Sequence, residues 1–253
     1  MSRMFFAIAG LFISAALARA GEERAEMRAV KAATPIVVDG VLDEEIWENA
    51  PAYPMNPAPG RSSPIPFAGG TLRFAWDDEH LYFAAELEDD NILAYKDADG
   101  EHHYAFGDVI ELFVAPADKT WYWELYATPL GRQTVMFLQR TEDMPPDSFP
   151  RITILEDVRM DVAVKVDGTV NDLGDKDKGW IVEMAVPVSE LTKMGDAWGP
   201  GSEWTILVGR YDYSRYFDER GEQDAQFELS SAPALSRMSF HLKDEYARLV
   251  FEE

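Results

Sequence analysis

The chain has 253 residues and no cysteine, and its 23 basic and 46 acidic side chains give a formal net charge of −23 at pH 7. Such an excess of acids disfavours phosphate backbones and anionic lipid surfaces, so neither nucleic acid nor a membrane is an expected partner. The lack of cysteine excludes disulfides and a cysteine-linked lipid anchor, and a chain this long can rely on its hydrophobic core alone.

Residues 1–20 have the pattern of a secretory signal peptide. Arg3 supplies a positive start, residues 5–17 form an apolar run of 13, and residues 18–20 have the small-x-small form that signal peptidase cuts. The run is shorter than the roughly 20 residues that a transmembrane helix needs. We therefore expect a secreted or periplasmic protein, cleaved after Ala20, with no membrane insertion after cleavage.

A polar lead-in precedes the domain. Residues 21–34 contain alanines but no turn residues, so they are predicted to be poorly ordered or to form a short helix. The domain itself is expected to span residues 35–253, because no repeat, low-complexity tract or long linker interrupts it. Its first strand is predicted at TPIVV, residues 34–38.

A turn and a short helix follow this predicted strand. Asp39-Gly40 is strong turn chemistry. Ile46 and Trp47 come at helical spacing behind Asp43, a suitable N-cap, so both side chains are predicted to turn inward. The segment is therefore predicted to be a fixed entry into a β-rich core.

After this entry the apolar residues alternate with period two nearly everywhere, as in half-buried strands. GDVIELFV is instead apolar on both faces apart from Glu111, as an inner strand would be. A second short helix is predicted at PVSELTKM. The further strands are predicted at residues 71–77, 80–88, 107–114, 121–128, 132–139, 158–166, 179–187, 204–212, 225–230 and 247–252. The pattern predicts an all-β fold, an antiparallel two-sheet β-sandwich of jelly-roll or immunoglobulin type with about ten strands and one or two helical turns.

Catalytic signatures are missing from the sequence. It contains none of the nucleophile-elbow, zinc-peptidase, phosphate-loop or dinucleotide-binding motifs. Four scattered histidines do not predict a zinc site. The sequence therefore does not predict an enzyme.

Two acidic clusters offer oxygen ligands of the kind that calcium prefers. EDDN and DADGE lie close together in the chain, and NDLGDKDKG follows at residues 171–179. DADGE lacks the spacing of an EF-hand, so plain solvated loops remain the alternative. The possible calcium ligands are Asp89, Asp90, Asp97 and Asp99.

One aromatic strand has the composition of a sugar-binding surface. In WYWELY the side chains of Trp121 and Trp123 face one way, and those of Tyr122, Glu124 and Tyr126 face the other. If the tryptophan face is core, the second face exposes two rings beside a carboxylate, which can stack on a pyranose and accept its hydroxyl hydrogen bonds. Cross-strand aromatic packing is the alternative.

Five segments, in chain order, resemble the family 9 carbohydrate-binding modules. They are DGVLDEEIWENA, LRFAWDDEHLYFAAELED, GDVIELFV, GWIVEMAVP and FHLKDEYARLVF, and the similarity covers about residues 34–253. The resemblance implies an antiparallel β-sandwich, often with bound calcium, that binds the ends of glycan chains between two aromatic platforms. It also implies that the DExxW turn closes one end of the sandwich, so Trp47 is expected to be structural.

The resemblance also places the two aromatic platforms. The first falls on Ala105, whose neighbours Tyr104 and Phe106 are aromatic, so this platform has changed, moved by one residue or disappeared. The second falls on Phe240, six residues before Tyr246, where an aromatic ring is retained at the expected rim of the cleft.

The leading prediction is a secreted, non-catalytic carbohydrate-binding protein that uses ring stacking and polar contacts. Arg210, Asp212 and Tyr213, at the end of a predicted strand, could bind hydroxyl groups near the same rim or be plain solvated residues. The predicted carbohydrate-binding residues are Phe240, Tyr104, Phe106, Tyr122, Glu124, Arg210, Asp212 and Tyr213.

Two alternatives remain open. Similar sandwiches carry haem in secreted electron-transfer proteins, with methionine and histidine or lysine as axial ligands, although methionines in alternating strands are more simply core filler. The haem candidates are Met136, Met160 and Met184 with His102, His103 and His241. The other alternative is an accessory subunit of a glycoside hydrolase, for which the sequence identifies no protein partner.

Overall fold

The computed structural model describes residues 24–61, 67–140, 143–144, 148–213 and 227–253. The predicted signal peptide lies outside the described residues, so its cleavage stays a prediction. Within these ranges, no helix is both long enough and apolar enough to cross a membrane.

The described residues form short helices and many strands. The strands are β1 (Glu26–Lys31), β2 (Tyr53–Pro54), β3 (Asn56–Pro57), β4 (Gly70–Trp76), β5 (His80–Glu88), β6 (Val109–Pro116), β7 (Trp121–Ala127), β8 (Gln133–Gln139), β9 (Arg151–Ile154), β10 (Asp161–Asp167), β11 (Gly179–Pro187), β12 (Trp204–Tyr213), β13 (Phe227–Ala232) and β14 (Ala247–Glu252). The α-helices are α1 (Glu45–Asn49) and α2 (Val188–Leu191), and single 3₁₀ turns cover His103–Ala105 and Lys243–Glu245.

One hydrogen-bonded path joins most of these strands, in the order β10-β11-β5-β4-β1-β14-β12-β6-β7-β8-β9. The path curls into two facing layers, since the main core contains side chains from both of its halves, such as Phe83 of β5 and Trp123 of β7. The alternating apolar residues of the sequence supply this core, as Phe74 and Trp76 do from β4. The prediction of an all-β sandwich is confirmed.

Strand β1 joins the two layers and is the exception to the antiparallel pattern. It pairs in parallel with β14 on one side and with β4 on the other. Met27 and Ala29 are buried, and their exposed or half-buried neighbours alternate with them. The prediction of a poorly ordered or helical lead-in over residues 21–34 is therefore wrong for Glu26–Lys31, which belongs to the sandwich.

The segment between β1 and α1 also differs from the prediction. Residues 34–38 do not form a strand: Ile36 is buried beneath α1, whereas Val37 is 65% exposed. The turn is confirmed, and Gly40 has a φ of 79° and lies so close to the backbone of Val164 that a Cβ would meet it at 3.2 Å. The N-cap of α1 is Glu44 rather than Asp43, and no side chain caps the helix.

A second apolar cluster lies on the outer face of β6, β7 and β12. Leu235, Phe240 and Tyr246, from the chain between β13 and β14, pack there against Phe113 and Tyr122. The second face of WYWELY is therefore buried rather than exposed, because this long-range segment folds over it. A cavity remains beneath the covering segment.

Candidate functional site

The cavity has a volume of about 360 Å³ and opens between the covering segment and the outer face of β6, β7 and β12. Its size lies toward the lower end of small-ligand sites, which span roughly 300–1,000 Å³. Such a volume suits a single ring of a ligand rather than a long chain.

Aromatic side chains form the walls and mouth of the cavity. Tyr104 and Phe149 are 38% and 51% exposed at the mouth, and Tyr211 and Phe240 lie deeper. The rings of Tyr104 and Tyr211 are 5.6 Å apart, and the hydroxyl of Tyr213 donates a hydrogen bond of 2.6 Å to the carbonyl oxygen of Tyr104. These contacts hold the Tyr104 ring beside the opening, where a ligand can stack on it.

Two glutamates from adjacent antiparallel strands line the cavity floor. Glu111 of β6 lies opposite Tyr126 of β7, and Glu124 lies opposite Phe113, so the two carboxyl groups are diagonal neighbours on one face. The Tyr126 hydroxyl donates a hydrogen bond to Oε1 of Glu124. Among the described residues, Oε1 of Glu111 has no hydrogen-bond partner although it is buried. The floor therefore offers acceptor oxygens to a ligand that brings donors.

Burial governs the charge of these groups. It raises the pKa of Glu124 to about 7, and the hydrogen bond from Tyr126 works in the opposite direction. Burial, followed by the nearby charge of Glu124, raises the pKa of Glu111 as well. Burial lowers the pKa of His241, at the edge of the cavity, to about 4, so this imidazole is neutral near pH 7.

Phe240 lines the cavity, but the prediction that it forms an exposed platform at the rim is wrong. Its side chain is only 5% exposed, and its ring lies directly over Gly209, where a Cβ would approach Cε2 of the ring to 2.7 Å. Neighbouring rings of Phe113 and Tyr211 enclose it at 5.9 and 5.7 Å. Phe240 is therefore a core residue whose edge forms part of the cavity wall.

Of the two aromatic neighbours of Ala105, Tyr104 is the one that matches the predicted first platform. Tyr104 lines the cavity, whereas Phe106 does not and instead lies under Nζ of Lys96, 4.5 Å from its ring centre. Tyr122 is also outside the cavity: it lines an adjacent cleft and forms a 2.8 Å hydrogen bond with His241. Glu124, by contrast, lies on the cavity floor as described above.

The structure does not bring Arg210, Asp212 or Tyr213 into the cavity. Arg210 is completely buried on the other face of β12, where its guanidinium donates to Oδ2 of Asp89 at 3.0 Å and lies 3.7 Å from Asp212. Tyr213 is 4% exposed and uses its hydroxyl to hold Tyr104. Because neighbouring residues of a strand point to opposite faces, Tyr211 reaches the cavity whereas Arg210 and Asp212 do not.

Comparison with known proteins agrees with this architecture. The model of the carbohydrate family 9 binding domain-like family matches residues 38–201, which is more than half of the chain. The chain belongs to this family. A comparison with curated proteins gives no match.

Solved structures share the fold of this family 9 domain at low sequence identity. A candidate carbohydrate-binding protein from Bacteroides uniformis has a TM-score of 0.66 at 14% identity, covering 91% of this chain and 100% of its own. A family 9 carbohydrate-binding module from Caldicellulosiruptor kristjanssonii in complex with cellotriose has a TM-score of 0.55 at 13% identity, over 90% and 93% of the two chains. The same organism's module in complex with glucose gives 0.54 at 13% identity, over 89% and 95%.

The predicted calcium ligands of the family 9 domain do not come together around one point. Oδ2 of Asp90 lies 3.1 Å from Nζ of Lys176, and Oδ1 of Asp97 lies 2.6 Å from Nε of Arg132. Oδ1 of Asp99 accepts a hydrogen bond from the backbone nitrogen of Gln133.

Among the described residues, the one close group of carboxylates joins Asp89 with Asp108 and Asp212. The Arg210 guanidinium supplies its positive charge, and Asp108 accepts backbone hydrogen bonds on both oxygens, so this group does not fit a calcium ion. Calcium binding elsewhere in the chain stays a prediction.

The candidate haem ligands also lie in different parts of the fold. Met160 and Met184 belong to the main core, and His103 is buried outside the cavity, whereas Met136, His102 and His241 line it. The cavity floor that they share carries two carboxylates. Haem binding stays a prediction of the sequence.

Several cavity residues of this family 9 domain were not among the predicted site residues: Glu111, Tyr126, Tyr211 and Phe149. For Glu111 a signal existed, because it is the single charged side chain within the otherwise apolar strand β6. Phe149 carries no comparable signal, since it lies in an irregular segment between β8 and β9.

Proposed function

We propose that this family 9 domain is a non-catalytic carbohydrate-binding protein and that the described cavity is its sugar site. The observation that carries the proposal is an exposed ring, Tyr104, at the mouth of a cavity whose floor presents two buried carboxylates. An aromatic face stacks on the apolar C–H face of a sugar, and carboxylates accept hydrogen bonds from its hydroxyl groups.

The surroundings of the cavity support binding of a glycan end. A second cleft of about 700 Å³ adjoins it and shares Phe149, Ser239 and His241 with it. One ring of a glycan therefore fits in the cavity, and the following rings have a continuous path along the second cleft. The lack of catalytic motifs and the family membership support a binding role rather than an enzymatic one, and a partnership with a glycoside hydrolase remains compatible with it.

A glycan array tests the proposal, using the protein that begins at Gly21. Binding should appear with and without added calcium, and isothermal titration of the best ligand should give the affinity of the wild type. Tyr104→Ala should weaken binding by about tenfold or more, because loss of one stacked ring removes roughly 1–3 kcal/mol.

Phe106→Ala is the matched control for this test. Phe106 is as exposed as Tyr104, at 38%, and lies two residues away, but it does not line the cavity. Its truncation should leave affinity unchanged. Equal effects of the two variants, or the absence of any bound glycan, would contradict the proposed site.

We also propose that the protein acts outside the cytoplasm, in the periplasm or the external medium. The support is the signal-peptide pattern of residues 1–20. An acidic surface suits such a role, because it keeps a binding protein soluble and away from anionic lipid headgroups.

A further inference from the structure

The cavity floor holds two buried carboxyl groups without a matching cation. Glu111 and Glu124 are 2% and 5% exposed, and none of the described residues that line the cavity is a lysine or an arginine. His241 is neutral near pH 7 and is engaged with Tyr122. Burying two carboxyl groups in this way is costly unless something pairs with them.

Elsewhere in the chain, buried acids have several partners. Asp89 and Asp212 lie 3.0 and 3.7 Å from the completely buried guanidinium of Arg210. Glu183, on the opposite side of the fold, accepts three hydrogen bonds, from the backbone of Asp39 and Gly40 and from the indole of Trp47. Among the described residues, by contrast, one donor, the Tyr126 hydroxyl, serves the two glutamates of the cavity, and Oε1 of Glu111 has no partner.

The walls of the cavity also favour a cation. Tyr104 at the mouth and Tyr211 deeper in the cavity present aromatic rings beside the carboxyl groups. The face of an aromatic ring attracts an ammonium group, and the attraction grows when the site is sheltered from water. The aromatic rings and the buried carboxyl groups thus both favour a bound cation over a neutral group.

We infer that the cavity selects a sugar that carries a protonated amino group, such as an unacetylated amino sugar, over the corresponding neutral sugar. This inference rests on the proposed function, since it names the class of sugar for the same cavity. An ammonium group supplies three hydrogen-bond donors and the missing positive charge. Acetylation of the amine removes the charge and adds bulk, so the acetylated sugar binds no better than the neutral one.

Three trisaccharides with one linkage test the inference by isothermal titration: cellotriose, the glucosamine trimer and the N-acetylglucosamine trimer. They differ only in the substituent at the second carbon of each ring. The glucosamine trimer should bind about tenfold or more tightly than cellotriose, because hydrogen bonds to charged groups exceed neutral ones by roughly this factor. Glu111→Gln and Glu124→Gln should each reduce this ratio toward one, because they remove the acidic group that pairs with the ammonium group.

The test must separate selection by the cavity from the non-specific electrostatic attraction between the protein and a cationic sugar, because the chain has a net charge of −23. Titrations in about 0.15 M salt screen this attraction. Glu156→Gln is the matched control, since it removes one exposed acid outside the cavity and should keep the full preference for the amine.

The outcomes distinguish this inference from the proposed function. If cellotriose or another neutral glycan binds in a Tyr104-dependent manner and the amine gives no preference, the inference is overturned and the proposed function stands. An amine preference that survives both glutamine substitutions also overturns it. If no trimer and no arrayed glycan binds, the proposed function and the inference fail together.

Discussion

The indole nitrogen of Trp47 donates a hydrogen bond of 2.9 Å to Oε1 of Glu183, although the two residues lie 136 positions apart. The other carboxylate oxygen of Glu183 accepts from the backbone nitrogens of Asp39 and Gly40, at 3.1 and 2.8 Å. One buried carboxylate of β11 thus fastens both the Asp-Gly turn and the short helix α1. This contact explains why the turn and the tryptophan occur together in the sequence.

Trp47→Phe should therefore destabilise the protein beyond the loss of ring volume. It leaves a buried oxygen of Glu183 without its donor, which costs about 1.5–3 kcal/mol for a charged acceptor. Trp180→Phe is the control, because Trp180 is equally buried at 2% exposure but its indole nitrogen has no partner among the described residues. Chemical denaturation of both variants gives the comparison, and equal losses would contradict the role of this hydrogen bond.

Phe240→Ala should lower the free energy of unfolding by about 3–5 kcal/mol, because the ring is 5% exposed and packs among Phe113, Tyr211 and Gly209. Phe106→Ala should change it by less than about 0.5 kcal/mol, as is usual at exposed positions. Thermal melting measures both. A fully stable Phe240→Ala protein would contradict the structural role of this ring in the outer apolar cluster.

Arg210→Met should destabilise the protein by about 3–5 kcal/mol, because it leaves the buried carboxylate of Asp89 and its neighbour Asp212 without their cation. Arg132→Met should cost less than about 1 kcal/mol, since the side chains of Arg132 and its partner Asp97 are 41% and 70% exposed. Denaturant titrations at constant salt decide the matter. A similar cost for the two substitutions would mean that burial does not amplify the Arg210 contacts.

The stability of the protein should depend on pH through Glu124. Its pKa is raised from 4.5 to about 7, so between these values the folded protein keeps a proton that the unfolded chain has released. The free energy of unfolding therefore falls as pH rises through this window, by up to about 3 kcal/mol. Glu111 acts in the same direction, because burial raises its pKa too.

Glu124→Gln should remove this part of the slope, since glutamine does not titrate. Melting curves between about pH 4.5 and pH 7.5 of the wild type, of Glu124→Gln and of the exposed-site variant Glu156→Gln provide the test. The Glu156→Gln curve should run parallel to that of the wild type. Parallel curves for all three proteins would show that Glu124 titrates normally in the folded state.

Export should remove residues 1–20. Expression of the full chain in a bacterium with a secretory pathway should yield an exported protein whose first residue is Gly21, identified by intact-mass spectrometry. Substitution of Ala20 by a bulky residue should block cleavage at this position, because signal peptidase requires small residues there. An intact chain in the cytoplasm would contradict the proposed localisation.

Periodicity in the sequence predicted the fold class and most of the strands of this protein. Leu72, Phe74 and Trp76 alternate along one strand, and all three are buried in the sandwich, because a period of two can bury only one face. The order of its five motifs also identified the family that the comparison shows. Local spacing likewise predicted the turn at Gly40 and the inward position of Trp47.

The set of residues that form the cavity, in contrast, depends on long-range packing. Periodicity separates the two faces of β7 and β12, but it does not reveal that the chain around Phe240 folds back over one of them. The covering segment buries Glu124 and encloses the cavity that Tyr211 lines. On the opposite face of β12, Arg210 forms an ion pair with Asp89. A cavity made by such long-range contacts depends on what covers each face, and the periodicity of the strands does not show that.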